Sequence, residues 1–340
     1  MAAGRLTEFK DHRMKLATLK SDTFDGRLVV VSRDLKTAVF AQAAPTLQAA
    51  LDRWNALAPA LQAQSDALNA GTAQDAFAFD PTQALSPLPR AYQWLDGSSF
   101  LAHGRLLDKA FGIPPIPQAD VVPIMYQGGS DAFLAPTQDA PFVDEADGID
   151  FEAEYAVVTG DVPIGATDEE AQGAVRLVLL ANDWSLRALQ RFEMMRGFGP
   201  IHAKPATAFA PVAVTPDELG SAWANGRVEL PVQVAWNGQP FGRPSGAAMD
   251  FTYAKLIVHA ARTRALKAGT IVGFGTVSEG APDKVGSACI AERRGWEVIQ
   301  HGEPKTGFMR FGDTVRIEVL DEAGASVFGA IEQKAVRARA

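Results

Sequence analysis

The chain has 340 residues, of which 21% are Asp, Glu, Lys or Arg and 47% belong to the hydrophobic set, a balance that excludes disorder or low complexity as the main state. Asp and Glu number 40 against 32 Lys and Arg, so the net charge is −8; without a basic block, nucleic acid is excluded as a partner. The single cysteine, Cys289, leaves no intrachain disulfide and no thiolate metal cluster, and fits a reducing, cytoplasmic setting.

At about 150 residues per domain the length points to two domains, or to one large domain with an extension. No run approaches about 18 apolar residues, so no transmembrane helix and no membrane partner are expected. The opening segment MAAGRLTEFKDHR lacks an apolar signal core. A strand pattern begins at Met14, so residues 1–13 read as an N-terminal extension.

In chain order, KLATLK (15–20), GRLVVVS (26–32) and TAVFA read as strands of a small leading element. Residues 45–69 read as an amphipathic helix carrying Leu47, Leu51, Trp54, Leu61 and Leu68, broken or offset at Pro59. Pro81, Pro87 and Pro89 make the next stretch an extended linker. A boundary between Gly71 and Pro89 divides residues 14–85, a small N-terminal α/β domain, from a larger unit over 86–340.

The larger unit is mixed. Residues 148–161 read as a strand and 175–183 as a buried strand, with a Thr167–Glu170 capping box opening the helix between them. WSLRALQRFEMM (184–195) reads as a helix with Leu186, Leu189 and Phe192 on one face. A helix is expected after Thr215, a hairpin at Asn237-Gly238, a helix over 250–263, a strand over 269–278 and a terminal hairpin over 310–332. Strands outnumber helices after residue 90 without a strict βαβ alternation, so the fold class is α+β and β-rich.

Several carboxylates stand out. Glu152 and Glu154 lie two apart on a strand with apolar residues on both faces, and so point to one side. Two ionised carboxylates buried there need a cation, or one must hold a proton; the plain alternative is a strand edge in water. Asp183 ends a buried strand where the chain enters a helix, as an open carboxylate or as a simple cap. Asp96 stands seven residues before His103, and taken alone each reads as a turn aspartate and an ordinary histidine. Oxygen donors without a Cys or His pair favour a hard divalent cation, Mg²⁺, Ca²⁺ or Mn²⁺, over zinc. GFGT (273–276) lacks the pattern of a nucleotide-binding loop, and Cys289 reads as packing.

DGSSFLAH (96–103), MYQGGSD (125–131), DFEAEYAVV (150–158), NDWSLRALQ (182–190), the lysine of GFGPIHAKP (197–205), GTVS and GSACIAE, taken in order, resemble the fumarylacetoacetate hydrolase family. The resemblance runs from about residue 90 to the end and implies a mixed β-roll catalytic domain. It implies Asp96, Glu152, Glu154 and Asp183 as metal ligands. His103 would be the general base, oriented by Glu292, with Asp283 a weaker alternative. Glu292 stands two residues later than the longer members predict. Lys204 would be catalytic, and Tyr126, Gln190 and Thr276 would touch substrate. Two family positions have no match: an arginine between His103 and Tyr126, and a tyrosine after Gln190, near Met194.

The implied reaction is metal-dependent hydrolysis of a carbon–carbon bond in a 1,3-diketo acid such as fumarylacetoacetate, in aromatic catabolism. Fumarylpyruvate or another acylpyruvate is the alternative substrate. Decarboxylation, hydration or isomerisation of a 2-oxo acid is the alternative reaction, and a non-catalytic acid-binding protein is a reading of another class. A homodimer is implied by the resemblance alone.

Overall fold

The computed structural model describes residues 12–339. The expected extension therefore lies outside the described residues, apart from His12 and Arg13.

The first strands form where the sequence pattern places them, at Lys15–Leu19, Arg27–Val31 and Thr37–Phe40. The expected helix over 45–69 is two helices, Leu47–Leu51 and Trp54–Asn69, and the break is not at Pro59. Arg53 leaves helical geometry at φ −132° and ψ 30°, while Pro59 sits inside the second helix. There Pro59 removes a single backbone donor, a loss that burial of Trp54, Ala58, Leu61 and Leu68 outweighs.

These leading strands do not form a sheet of their own. Lys15–Leu19 pairs antiparallel with Val212–Val214, Lys15 facing Val214, and so joins the strands of the larger unit. The resulting sheet runs from Phe77–Ala78 through the leading strands to Val212–Val214, Val175–Asn182 and Ala153–Thr159. It then continues through Ile271–Gly275 and Trp94–Ser98 to Ile124–Gly128. Ile271–Gly275 and Trp94–Ser98 run parallel, while the neighbours on both sides are antiparallel. A second sheet contains Gln239–Gly242, Val232–Trp236, Thr314–Val319, Ile331–Arg337 and Ala140–Phe142. The fold is thus α+β and rich in mixed sheet.

Ala153–Thr159 and Val175–Asn182 lie between two cores. Tyr155 and Val157 belong to one apolar cluster with Val178 and Leu180, whereas Ala156 and Val158 belong to the other with Leu177 and Leu179. This alternation follows from the two-residue period of a strand. Burying an apolar side chain contributes about 1.5–3 kcal/mol. Glu154, in the row of Ala156 and Val158, forfeits that gain and loses its hydration as well, so its place in the row does not serve stability.

The remaining differences are local. Ser185–Leu186 forms a short strand with Ile149–Asp150, which delays the helix to Arg187–Arg196 and leaves Phe192 57% exposed. The helix after Thr215 is a 3₁₀ turn, Pro216–Ala222. Asn237 and Gly238 both take positive φ, as a tight hairpin turn requires. The terminal return strand is Ile331–Arg337, later than expected, because residues 320–330 form the connection. Among the described residues no helix is long and apolar enough to cross a membrane.

Candidate active site

The site lies where the central strands end. Asp96 is in the strand Trp94–Ser98, with Gly273 as its parallel-strand partner and Tyr126 as its antiparallel one. Glu154 faces Ala181 on the neighbouring strand, and Asp183 follows the end of that strand with its N–H donating to Glu152 O at 2.9 Å. Asp96, Glu154 and Asp183 are all buried, and one carboxylate oxygen from each lies within 4.8 Å of the others. Asp96 Oδ1 and Glu154 Oε2 have no hydrogen-bond partner.

Two glycines make room for these acids. A Cβ on Gly273 would lie 2.7 Å from Asp96 Oδ1, and one on Gly275 would collide with the Glu154 carboxyl. The GFG run therefore serves the carboxylate cluster. Asp183 does not cap the following helix, whose N-cap is Leu186. Instead Asp183 Oδ1 accepts from Thr207 Oγ1 at 2.6 Å, and Oδ2 accepts from both Tyr126 OH and Lys204 Nζ at 2.5 Å.

Glu152 stands apart from that trio. Its Oε1 accepts from Arg187 Nη2 at 2.6 Å and Thr276 Oγ1 at 2.9 Å, while Oε2 accepts from Lys204 and from Ser185 Oγ at 3.1 Å. Lys204 thus bridges Glu152 and Asp183. Arg187 also donates to Asp150 Oδ2 at 2.8 Å and, through Nη1, to Gln190 Oε1 at 2.9 Å. Gln190 therefore reaches the site through Arg187.

His103 is in the first turn of helix Leu101–Phe111, whose start is held by Leu101 N–H donating to Asp250 Oδ2 at 2.8 Å. A ring nitrogen of His103 lies within 4.8 Å of a Glu152 oxygen and of Cys289 Sγ. Glu292, on the packed helix Ile290–His301, does not bond His103: its carboxylate accepts from Ser278 Oγ. Asp283 is exposed.

The electrostatics follow from burial and pairing. Burial pushes Asp96 up to about 7, with the negative charge of Asp183 adding to it and Lys204 opposing. Burial together with Asp96 and Asp183 raises Glu154 well above the usual carboxylate range. Burial acts the same way on Glu152, but Arg187 and Lys204 outweigh it and hold that carboxylate ionised below its ordinary range. Lys204 is likewise held charged against burial by Asp183 and Glu152. Burial lowers His103 to about 4, Glu152 opposing while Arg187 and Lys204 add to the shift, so its ring is neutral at neutral pH. Burial raises Glu292 to about 7 against the Ser278 hydroxyl.

Sequence reasoning passed over Arg187, Asp150, Thr207, Ser185 and Ser278. A signal for two of them was present: Asp150, Glu152 and Glu154 alternate, and Arg187 stands three residues before Gln190 at helical spacing. Thr207 and Ser278 carry no such local signature, because loops bring them in.

Comparison with known proteins follows the same outline. Residues 93–336 match the family described as "Fumarylacetoacetate (FAA) hydrolase C-terminal", and residues 14–90 match "Fumarylacetoacetase N-terminal domain 2". A curated relative, fumarylacetoacetase of Caenorhabditis elegans, is 29% identical over 239 residues, covering 60% of this chain. The matched region spans 56% of that relative's length.

Among solved structures, a putative HpcE protein from Mycobacterium smegmatis matches with a TM-score of 0.64 at 19% identity, over 96% of this chain and 100% of that one. Maleylpyruvate hydrolase from Sphingobium sp. SYK-6, in complex with manganese (II) ion and pyruvate, matches with a TM-score of 0.63 at 16% identity, over the same shares of the two chains. At those identities the structures share the fold. With the family profile covering most of its length, this chain belongs to the fumarylacetoacetate hydrolase family.

Proposed function

We propose that this protein hydrolyses a carbon–carbon bond in a 1,3-diketo acid such as fumarylacetoacetate, releasing fumarate and acetoacetate, with a divalent cation held by Asp96, Glu154 and Asp183. The carrying observation is a buried carboxylate cluster in which Asp96 Oδ1 and Glu154 Oε2 lack partners and two glycines are kept free of side chains around them. Such a set of hard oxygen donors fits Mg²⁺, Ca²⁺ or Mn²⁺. The ion would supply Lewis-acid polarisation of the dicarbonyl.

The protein's own groups do the rest. His103, neutral and beside the site, takes the proton of the attacking water on a ring nitrogen. Lys204 keeps its proton and is held at Asp183 and Glu152, where it donates to oxygen that becomes negative during the reaction. Glu152 acts here as the counter-ion that positions Lys204 and Arg187. Tyr126 and Thr276 border the same space, and Gln190 fixes the Arg187 fork. Glu292 has a positioning part, through the helix packed on that of His103.

Acylpyruvate hydrolysis is a second reading of the same chemistry. It draws on the maleylpyruvate hydrolase that shares the fold and on the missing arginine and tyrosine expected for fumarylacetoacetate. The test is a panel of fumarylacetoacetate and acylpyruvates with Mg²⁺, followed by loss of diketone ultraviolet absorbance. Turnover is expected to stop on chelation and return with the ion. Full activity in verified metal-free protein, or no loss of absorbance with any member of the panel, would end the proposal.

A further inference from the structure

Helix Arg187–Arg196 opens with Arg187 and Gln190 at the site, and the chain comes back to the site at Lys204. Gly197 and Gly199 take positive φ, 75° and 90°, where the chain turns. Apolar packing does not hold this return in place. No side chain of the helix is fully buried, and Phe192, Met194, Met195, Phe198 and Ile201 are all exposed.

One carboxylate holds it instead. Glu193 stands one helical turn after Gln190. Its Oε2 accepts from Ile201 N–H and Ala203 N–H, each at 3.0 Å, and its Oε1 accepts from His202 N–H at 2.9 Å. Ala203 is fixed from its other side as well, its carbonyl accepting from Leu186 N–H at 2.8 Å. Lys204 is the next residue. The Glu193 side chain is only 12% exposed, so water competes little for these bonds. Burial raises its carboxyl, but the three N–H donors outweigh burial and keep it ionised. Hydrogen bonds to an ionised acceptor are roughly twice as strong as neutral ones.

We propose that Glu193 is a positioning residue for Lys204. By gathering three consecutive N–H groups it fixes the backbone from which Lys204 reaches Glu152 and Asp183. It also ties that reach to the helix carrying Arg187 and Gln190. A lysine stem is flexible and its ammonium strongly hydrated, so a backbone free to shift would let the ammonium exchange those acids for water. The catalytic consequence rests on the proposed hydrolase reading: Lys204 donates to an oxygen that becomes negative during the reaction, so its displacement lowers kcat rather than raising KM.

The experiment acylates the full chain with acetic anhydride in Mg²⁺ and follows each lysine by peptide mass spectrometry, in wild type, Glu193→Ala and Glu193→Gln. Circular dichroism checks the fold of each. Exposed Lys36 and buried Lys15, whose Nζ donates to Val327 O at 2.8 Å, are the references. Lys204 is buried and held charged, so it reacts slowly in wild type.

In Glu193→Ala the acylation of Lys204 should quicken about tenfold or more while Lys15 and Lys36 keep their rates. Glu193→Gln keeps one acceptor oxygen and should lie between. With fumarylacetoacetate as the probe, kcat should fall about 10–100-fold in Glu193→Ala while KM changes by less than about threefold. A wild-type rate at Lys204, an equal quickening at Lys15, or an unchanged kcat would overturn the proposal. Labelling reads no turnover, so a wild-type protein inert toward fumarylacetoacetate would count against the hydrolase reading alone, and the labelling would still decide the clamp.

Discussion

Asp96 and Gly273 face each other on parallel strands, and a methyl group on the glycine would stand 2.7 Å from Asp96 Oδ1 and collide with Trp94. The carboxylate cluster therefore depends on a hydrogen atom where any other residue would place carbon. Gly273→Ala is expected to destabilise the protein by about 1–3 kcal/mol through overpacking. It should also weaken Mn²⁺ binding by about tenfold or more as Asp96 is displaced. Calorimetric titration with Mn²⁺ and a thermal melt check both; wild-type affinity in this variant would separate Asp96 from the ion.

Lys204 holds together two acids that are themselves buried. In chelator-treated protein, Lys204→Met leaves Glu152 and Asp183 short of a buried partner, and a loss of about 3–5 kcal/mol is expected by urea unfolding. With Mg²⁺ present, the same variant should lose about 10²–10³ in kcat if the ammonium serves the developing oxyanion. An unchanged kcat in folded, ion-loaded Lys204→Met would confine the lysine to a structural part.

His103 contributes no atom to the carboxylate trio, so its chemical and ion-holding parts are separable. His103→Asn should keep Mn²⁺ affinity at the oxygen cluster while lowering kcat by about 10²–10⁴. The paired readout, binding and turnover on one preparation, is decisive: loss of both in parallel would place the histidine at the ion instead.

Glu292 gives a pH signature. Its carboxyl is raised by burial from the ordinary 4.5 to about 7. Between those values the folded protein retains a proton that the unfolded chain has released, so stability falls as pH rises through the window. The effect is present in full above about 7, absent below the unfolded value, and at most about 3 kcal/mol. Urea midpoints at pH 5 and pH 8 in saturating Mg²⁺ should differ by less in Glu292→Gln than in wild type. Equal differences in the two proteins would show that another group carries the pH dependence.

Much of this protein is legible along the chain. Strand period two gave both faces of Ala153–Thr159, because a strand between two cores is apolar on both sides and any charge in it stands out. The Thr167–Glu170 box and the Asn237-Gly238 turn involve neighbours a few residues apart, so local chemistry sets them. The family motifs named the acids, the histidine and the lysine by order and spacing.

What only the tertiary structure decided is how those groups divide. Glu152 and Glu154 share a strand side in sequence, yet one pairs with Arg187 and Lys204 and the other is packed among the acids Asp96 and Asp183. That choice depends on which residues, 29 or more positions away, arrive from neighbouring strands and loops. Glu292 bonding Ser278 instead of His103, and Cys289 lying beside the histidine, arise in the same way. Period and spacing fix the direction a side chain takes from its own backbone; the charges and donors that meet it come from distant segments, and those set its role.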